Sequence, residues 1–237
     1  MTSDGHALHF DITPRQPRPR RDWWHAIRTM RALVRNQEDT QLAFEVFDAL
    51  DPGTHARALA DMLSHAEGRR IFAGRPSLRA VLCDRRALLA MPEGSFGRAY
   101  LDHLTRNGLD PEKLVELGRQ RRTMQGVDAD VRWMGERSQL THDLWHVLTG
   151  YGADGSDEAL LLVFSLAQAG GLGNLLLAFG ANREMVRQEG VGWLRQVRRA
   201  WRMGRRATCL HALPYEELLP LPLARVRRAA GIEPRTV

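Results

Sequence analysis

The chain has 237 residues, of which 43% are hydrophobic and 26% charged, enough for one substantial core or at most two small ones and typical of an ordinary soluble globular protein. Its two cysteines, Cys83 and Cys209, match no CxxC pattern and no disulfide framework, which argues against secretion and for a reducing compartment with both thiols as buried small hydrophobes. The net charge of +6 is almost wholly arginine, since Lys113 is the only lysine, so nucleic acid and anionic membrane must be weighed by where the charge falls.

Residues 1–21 alternate Pro14, Pro17 and Pro19 with Arg15, Arg18, Arg20 and Arg21, a composition unable to pack, and are expected to be a disordered leader ahead of a single domain over 22–237. They hold no apolar h-region, and Asp4 and Asp11 argue against a transit peptide, which points to the bacterial cytoplasm. From Trp23 to Leu50, Trp23, Ile27, Met30, Val34, Leu42, Val46 and Ala49 recur at helical spacing, with a break expected near Asn36 to Thr40. A third helix is predicted from an N-cap at Thr54 through Leu59, Met62 and Leu63 to Gly68. His55 and His65 are read here as surface residues without acidic partners at ligand spacing. Gly74, Pro76, Pro92 and Gly94 divide residues 69–94 into short helices and turns. Ser95 is placed to cap a helix carrying Phe96, Tyr100 and Leu104, and Asp110 the next, through Leu114 and Leu117; His103 is read as structural or exposed.

The stretch Gln139 to Glu158, QLTHDLWHVLTGYGADGSDE, holds the chemistry. It ends a helix predicted from Asp128 or Asp130 to Gly150, packed through Trp133, Leu140, Leu144 and Val147. On that helix His142 and His146 share a face, and Asp143 lies three residues before His146. Gly150 and Gly152 terminate the helix, with Tyr151 closing the turn, and Asp154, Gly155 and Ser156 supply turn and N-cap chemistry for the next. The resulting antiparallel pair brings Glu158 back towards the His/Asp face. Two imidazoles and two carboxylates suit zinc in tetrahedral form, and manganese or ferrous iron would also fit; a plain polar helix face is the competing reading. The pattern is not the zincin HExxH.

HDxxH, eleven residues, then Glu is the signature of the ubiquinone (coenzyme Q) biosynthesis family called Coq-four, and HDLWHVLTGYGADGSDE matches it without a gap. AEGRRIFAGRPSL (66–78), MPEGSFGRAYLDHLTRNGLDP (91–111) and LLPLPLARVRRAAGI (218–232) also resemble stretches of that family, so the resemblance runs over about residues 38–232. It implies that His142, Asp143, His146 and Glu158 are the catalytic ligands of a divalent metal, usually described as zinc.

Residues 159–182 carry no formal charge in 24 positions, long enough to span a membrane on length alone, but Gln168, Gly170, Gly171, Gly173 and Asn174 break the run into two helical halves. A buried central helix is one reading. The other, favoured by the resemblance because ubiquinone precursors carry long polyprenyl tails, is a lipid groove beside the metal, lined by Leu161, Phe164, Gln168, Leu172 and Leu176. Residues 183–206 then hold eight arginines against Glu184 and Glu189, a surplus equal to the net charge of the whole chain. Arg195, Arg198, Arg199, Arg202, Arg205 and Arg206 fall on one side of a helix with Leu194, Val197 and Trp201 opposite, either a solvated face or a surface for anionic lipid at the inner membrane. Aromatic interleaving and groove-reading motifs are absent, which argues against nucleic acid. The C-terminal part predicts a short turn at Tyr215 to Leu219 and a helix from Ala224 to Ala230 ended by Gly231, a packing appendix in which His211 has no evident partner.

No strand alternation appears, so the expected fold is an all-α bundle with a metal site between two antiparallel helices and a hydrophobic groove. The resemblance implies oxidative decarboxylation of a polyprenylated aromatic acid, carboxyl to hydroxyl at ring carbon one. The alternative it allows is a non-catalytic lipid-binding scaffold that organises other ubiquinone biosynthesis proteins, with homodimerisation left open. The motif alone also permits a metal-dependent hydrolase.

Overall fold

The computed structural model describes residues 21–35, 40–120 and 127–234, so residues 1–20 of the expected leader and 36–39 of the expected break lie outside the described residues, while Arg21 donates to the Leu50 carbonyl and Thr40 begins the second helix. The chain order is α1 (Trp23–Arg35), α2 (Thr40–Leu50), α3 (Thr54–Ser64), α4 (Ala66–Gly74), α5 (Leu78–Leu82), α6 (Arg85–Ala90), α7 (Phe96–Asn107), α8 (Pro111–Gln120), α9 (Ala129–Thr149), α10 (Gly155–Ala169), α11 (Leu172–Glu189), α12 (Leu194–Arg206), α13 (Tyr215–Leu218) and α14 (Leu223–Ala230). Short 3-10 turns at Val191–Trp193 and Leu210–Ala212 flank α12. Among the described residues the one β feature is an isolated bridge, Ser95 to Pro222, and the all-α expectation is met. No described helix is long and apolar enough to cross a membrane.

Helix boundaries follow local chemistry. Ser77, Asp84, Ser95, Asp128 and Asp154 each accept a backbone N–H from the first turn of their helix. Gly108, Gly150 and Gly231 end α7, α9 and α14 in the left-handed conformation. The third helix departs from expectation: its N-cap is Gly53 rather than Thr54, and it stops at Ser64, with His65 extended between α3 and α4.

α9 crosses the centre. It packs on α3, α8, α7, α5 and α14, while α10 lies between α11 and α12. Tyr100, Phe96, Leu144, Leu148, Leu161, Phe164 and Tyr215 form the fully buried heart of the main cluster. A smaller cluster around Leu59, Met62, Phe72 and Met134 joins α3 and α4 to α9, and a third around Ala26, Val46 and Leu50 joins α1 and α2 to α11. The C-terminal segment straps the bundle rather than merely following it. Phe96 and Gly97 donate to Leu221 and Leu219 carbonyls, and Arg227 of α14 donates to the carbonyls of Leu148 and Val147, satisfying acceptors that the end of α9 leaves open.

The uncharged run bends where expected, at Gly170 (φ 65°) and Gly171 (φ 97°). The room beside Gly171 and Gly173 is filled, whereas a Cβ on Gly170 would meet no described atom within 4 Å. A Cβ on Gly171 would lie 2.6 Å from Asp51 Oδ2, and one on Gly173 3.0 Å from both Asp51 Oδ2 and Phe47. Asp51 is buried and accepts the N–H groups of Leu172 (3.1 Å) and Gly173 (2.6 Å), capping α11 from a distant loop, and Arg57 holds its other face at 3.1 Å. Asp51→Ala therefore strands two backbone donors at a helix N-terminus. The expected loss is about 2 kcal/mol in urea unfolding, with Asp51→Asn milder.

The basic helix is turned from its expected orientation. Ala200, Met203 and Gly204 form the buried face of α12, whereas Leu194 and Trp201 are 48% and 43% exposed. Gly204 explains the difference: a Cβ there would come within 2.7 Å of the Phe164 carbonyl, so close approach to α10 selects the small residues over the large ones. The cysteines also depart from expectation, since both are only half-buried.

Candidate metal centre

α9 and α10 meet through the turn 150–154, in which Asp154 accepts the N–H groups of Ser156 and Asp157 and the Asp157 carboxylate accepts the N–H of Gly152 at 2.7 Å. That turn sets Glu158, in the first turn of α10, against the histidines of α9. Glu158 Oε1 lies 3.5 Å from His142 Nε2, and Oε2 lies 3.1 Å from His146 Nε2. Ligand atoms of His142, Asp143 and His146 lie within 4.8 Å of one another. The structure thus groups His142, Asp143 and His146 and sets Glu158 against both imidazoles, with Asp143 on the Nδ1 side of His142 and Glu158 on its Nε2 side. Donors held at 2.0–2.2 Å in a tetrahedron stand about 3.4 Å apart, so the two His–Glu separations fit a shared ion of that size.

The second interactions of each ligand determine its role. His146 is buried, and its Nδ1 donates to the Tyr151 carbonyl at 3.3 Å, which leaves the Nε2 lone pair on the Glu158 side. Tyr151 thus closes the turn and also sets this tautomer. His142 has Asp143 Oδ1 3.2 Å from Nδ1 and Glu158 at Nε2, a carboxylate on each nitrogen. Burial opposes its charge, but the hydrogen bonds and attraction from Asp143 and Glu158 outweigh it and push the imidazole up to about 10. The His142 side chain is 43% exposed, and solvent screens part of that attraction. Burial likewise works against the Glu158 charge, yet hydrogen bonds and attraction from His142 and His146 hold its carboxyl well below the usual range. Asp143 can act in two ways, as a ligand or as the carboxylate that orients the His142 ring.

Two neighbours escaped the spacing argument. His103 of α7, expected to be structural or exposed, is 5% exposed and stacks on His146 with ring centroids 5.2 Å apart and planes 23° apart. Its Nδ1 faces the Asn107 amide at 3.4 Å, which puts the proton on Nε2, a buried atom with no partner among the described residues. Tyr100, one turn earlier, has an equally buried and unpartnered hydroxyl, and burial, then the Asp143 charge, pushes its pKa up. An α7 residue three positions from a buried Tyr was the available signal, but only packing of α7 on α9 brings it to the site.

Burial holds two histidines down to about 4: His103, with repulsion from His146 next, and His211, against the pull of Asp61 and with the help of Arg137. Both folded values lie below the unfolded one, so the unfolded chain takes up more protons between about 6.5 and 4. Stability must therefore fall as the pH drops through that window, by up to about 1.4 kcal/mol per histidine and pH unit. Urea midpoints at pH 7 and pH 5 should converge in His211→Gln relative to the parent chain.

The five residues expected to line a groove divide between packing clusters. Leu161 and Phe164 are fully buried in the main core, while Leu172 and Leu176 pack against the α1–α2 cluster. The Gln168 amide donates to the carbonyl of Gly204 (2.5 Å) and accepts from Leu210 N (3.2 Å), fastening the chain on either side of α12's end.

The family model of the coenzyme Q (ubiquinone) biosynthesis protein Coq4 matches residues 52–236. The mitochondrial ubiquinone biosynthesis protein COQ4 homologs of Rattus norvegicus and Xenopus tropicalis are 29% and 30% identical to this chain, over 73% and 75% of its length. The alignments cover 63% and 62% of those relatives, so the chain spans less than two thirds of their length. A crystal structure of a Nostoc punctiforme protein provisionally assigned to ubiquinone biosynthesis shares the fold, with a TM-score of 0.64 at 19% identity over 88% of this chain and 95% of that one. With most of its length under the family model and the four-residue HDxxH–Glu pattern drawn together in space, the chain belongs to the Coq4 family of coenzyme Q biosynthesis proteins.

Proposed function

We propose that this chain acts in ubiquinone biosynthesis as a metal-dependent enzyme that replaces the ring carboxyl of a polyprenylated aromatic acid by hydroxyl. The observation that carries this reading is the Glu158 carboxylate, shared between the imidazoles of His142 and His146 with Asp143 behind them. The donor set is nitrogen and oxygen only, which fits zinc and equally manganese or ferrous iron. The ion, when bound, supplies Lewis acidity towards a carboxylate or phenolate. Oxidation draws on dioxygen and two reducing equivalents: the aromatic acid, dioxygen and two hydrogens give the phenol, carbon dioxide and water.

The protein's own groups act around that centre. His146 Nδ1–H on the Tyr151 carbonyl and the Asp143 carboxylate on His142 Nδ1 keep both Nε2 atoms turned to Glu158. The Tyr100 hydroxyl and His103 Nε2–H, buried donors without acceptors among the described residues, are suited to the oxygens of the aromatic head group, because an unmet buried donor costs about 1–3 kcal/mol until a ligand satisfies it. For the tail and the bilayer, α1 and α11 offer exposed Trp24, Ile27, Leu175 and Phe179, close enough that a Cβ on Gly180 would meet Met30 Cε at 2.1 Å. A cleft of about 420 Å³ holding Arg195, Arg198, Arg199, Arg202 and Arg206 beside Glu233 suits anionic headgroups.

The test supplies the full-length, metal-loaded protein with a prenylated hydroxybenzoate-type acid and dioxygen. Mass spectrometry should find the carboxyl exchanged for hydroxyl, and His142→Ala should abolish it. Binding of the lipid acid without turnover would favour the scaffold instead, and hydrolysis of simple esters the unrelated hydrolase.

A further inference from the structure

A second set of ligating side chains lies where the end of α3 meets the C-terminal segment. Asp61 lies in the last turn of α3 and His65 just past its end, and Cys209 immediately precedes the turn Leu210–Ala212; one ligand atom from each falls within 4.8 Å of the other two. We propose that Asp61, His65 and Cys209 bind a second divalent cation of the thiolate-seeking class, zinc, independently of the HDxxH–Glu centre.

The geometry is already set without a cation. Leu59, Met62, Ile71, Phe72, Met134 and Ala212 form one packed cluster, with Cys209 against it, so α3 and the 209–212 segment are locked together by apolar burial. His65 sits in an extended conformation (φ −96°, ψ 140°) between α3 and α4, and α4 presses so closely on this corner that a Cβ on Gly68 would fall 1.9 Å from the Met62 carbonyl. Arg69 takes the carbonyls of Leu63 and Ser64 that the end of α3 leaves open, and Ser64 Oγ donates to the Asp61 carbonyl. The corner is therefore satisfied through backbone acceptors, without the side chains of Asp61 and His65.

Between Cys209 Sγ and Asp61 Oδ2, 3.1 Å apart, a single proton lies where a cation would bridge sulfur and carboxylate. Two residues on, His211 is 8% exposed, its Nδ1 is buried without a partner among the described residues, and the Asp61 charge acts on it. The polar character of this corner thus runs deeper than a surface ion pair. Sulfur, nitrogen and oxygen donors together select zinc over magnesium, calcium or manganese, and three protein ligands leave a fourth position for water. Asp61 and His65 are exposed, which provides an entry path. Binding exchanges the thiol proton for the ion: the S–H bond breaks, a sulfur–metal bond forms, the proton goes to solvent, and nothing is oxidised or reduced.

The two centres differ by sulfur, which gives each its own readout. The full-length protein is stripped with a chelator and titrated with cobalt(II). Two equivalents should bind, with a sulfur-to-cobalt charge-transfer band in the near ultraviolet. Cys209→Ser and His65→Ala should each lower the count to one and lose the band, whereas His142→Ala should lower the count to one and keep it. Cys83→Ser should change neither. His65 is a surface residue, so its variant tests the ligand set even if Cys209→Ser folds poorly. One equivalent without the band in the parent chain, or a band that survives His65→Ala at full intensity, overturns the proposal and leaves the HDxxH–Glu centre untouched.

Discussion

His146→Ala should empty the α9–α10 centre of metal, with a fall in affinity well beyond the roughly 10- to 100-fold typical of losing an outer-shell partner. His146 is 3% exposed, its Nδ1 is committed to the Tyr151 carbonyl, and its Nε2 meets Glu158 at 3.1 Å, so the ring is held on both nitrogens before any ion arrives. Deleting it removes a candidate ligand and half of what positions Glu158. The measurement is metal competition against a chromophoric chelator, in a Cys209→Ser background so that only this centre is counted. Glu158→Gln, which keeps the shape and removes the charge, should lose metal comparably. His142→Ala is the variant least threatening to the fold, because that side chain is 43% exposed. Unchanged affinity in His146→Ala would mean that the cluster is a polar helix junction and that the catalytic reading fails with it.

How much of this centre was legible depends on whether spacing along the chain carries the contact. His142, Asp143 and His146 share one helix, so a 3.6-residue period suffices. Glu158 needs only a chain reversal, which Gly150 and Asp154 announce, and the structure supplies it with Gly150 at φ 78° and Asp154 as N-cap. His103 belongs to α7, and nothing in its local pattern encodes the packing that stacks it on His146. Asp61 and His65 form a pair at ligand spacing, against the expectation of His65 as a surface residue without an acidic partner, and Cys209 comes from 148 positions away from Asp61. The uncharged run 159–182 was legible as two halves with a bend, and the bend is there. Its glycines suggested space for a ligand, and beside Gly171 and Gly173 that space is taken by Asp51, which no local pattern announces because it lies on a loop over a hundred positions earlier. Helical periodicity gave α12 a basic face but not its rotation, since the close approach of Gly204 to α10 sets which face is buried.

The same non-local logic governs the largest expected loss of stability, that of Glu216→Ala. Arg137, on α9 ahead of the metal ligands, is 3% exposed and donates through both terminal nitrogens to Glu216, at 2.6 and 3.1 Å, and to the Leu213 carbonyl at 3.1 Å. Its guanidinium lies 5.7 Å from the Trp133 ring and 5.8 Å from that of Tyr215, an apolar setting for a full charge. A buried pair of this kind adds little over a well-packed apolar replacement, but removing one partner strands the other, at about 3–5 kcal/mol. Glu216→Ala should therefore unfold at much lower urea, while the double variant Arg137→Met, Glu216→Leu should recover most of the loss. With the single variants Arg137→Met and Glu216→Leu completing a cycle, the coupling measures how far α9 depends on the C-terminal strap. If Glu216→Ala is as stable as the parent chain, the Trp145–Tyr215 hydrogen bond at 3.0 Å and the Arg227 bonds to Leu148 and Val147 must hold α9 in register by themselves. If it is destabilised yet still binds metal at full affinity, the strap serves the fold, and the α9–α10 turn alone shapes the centre.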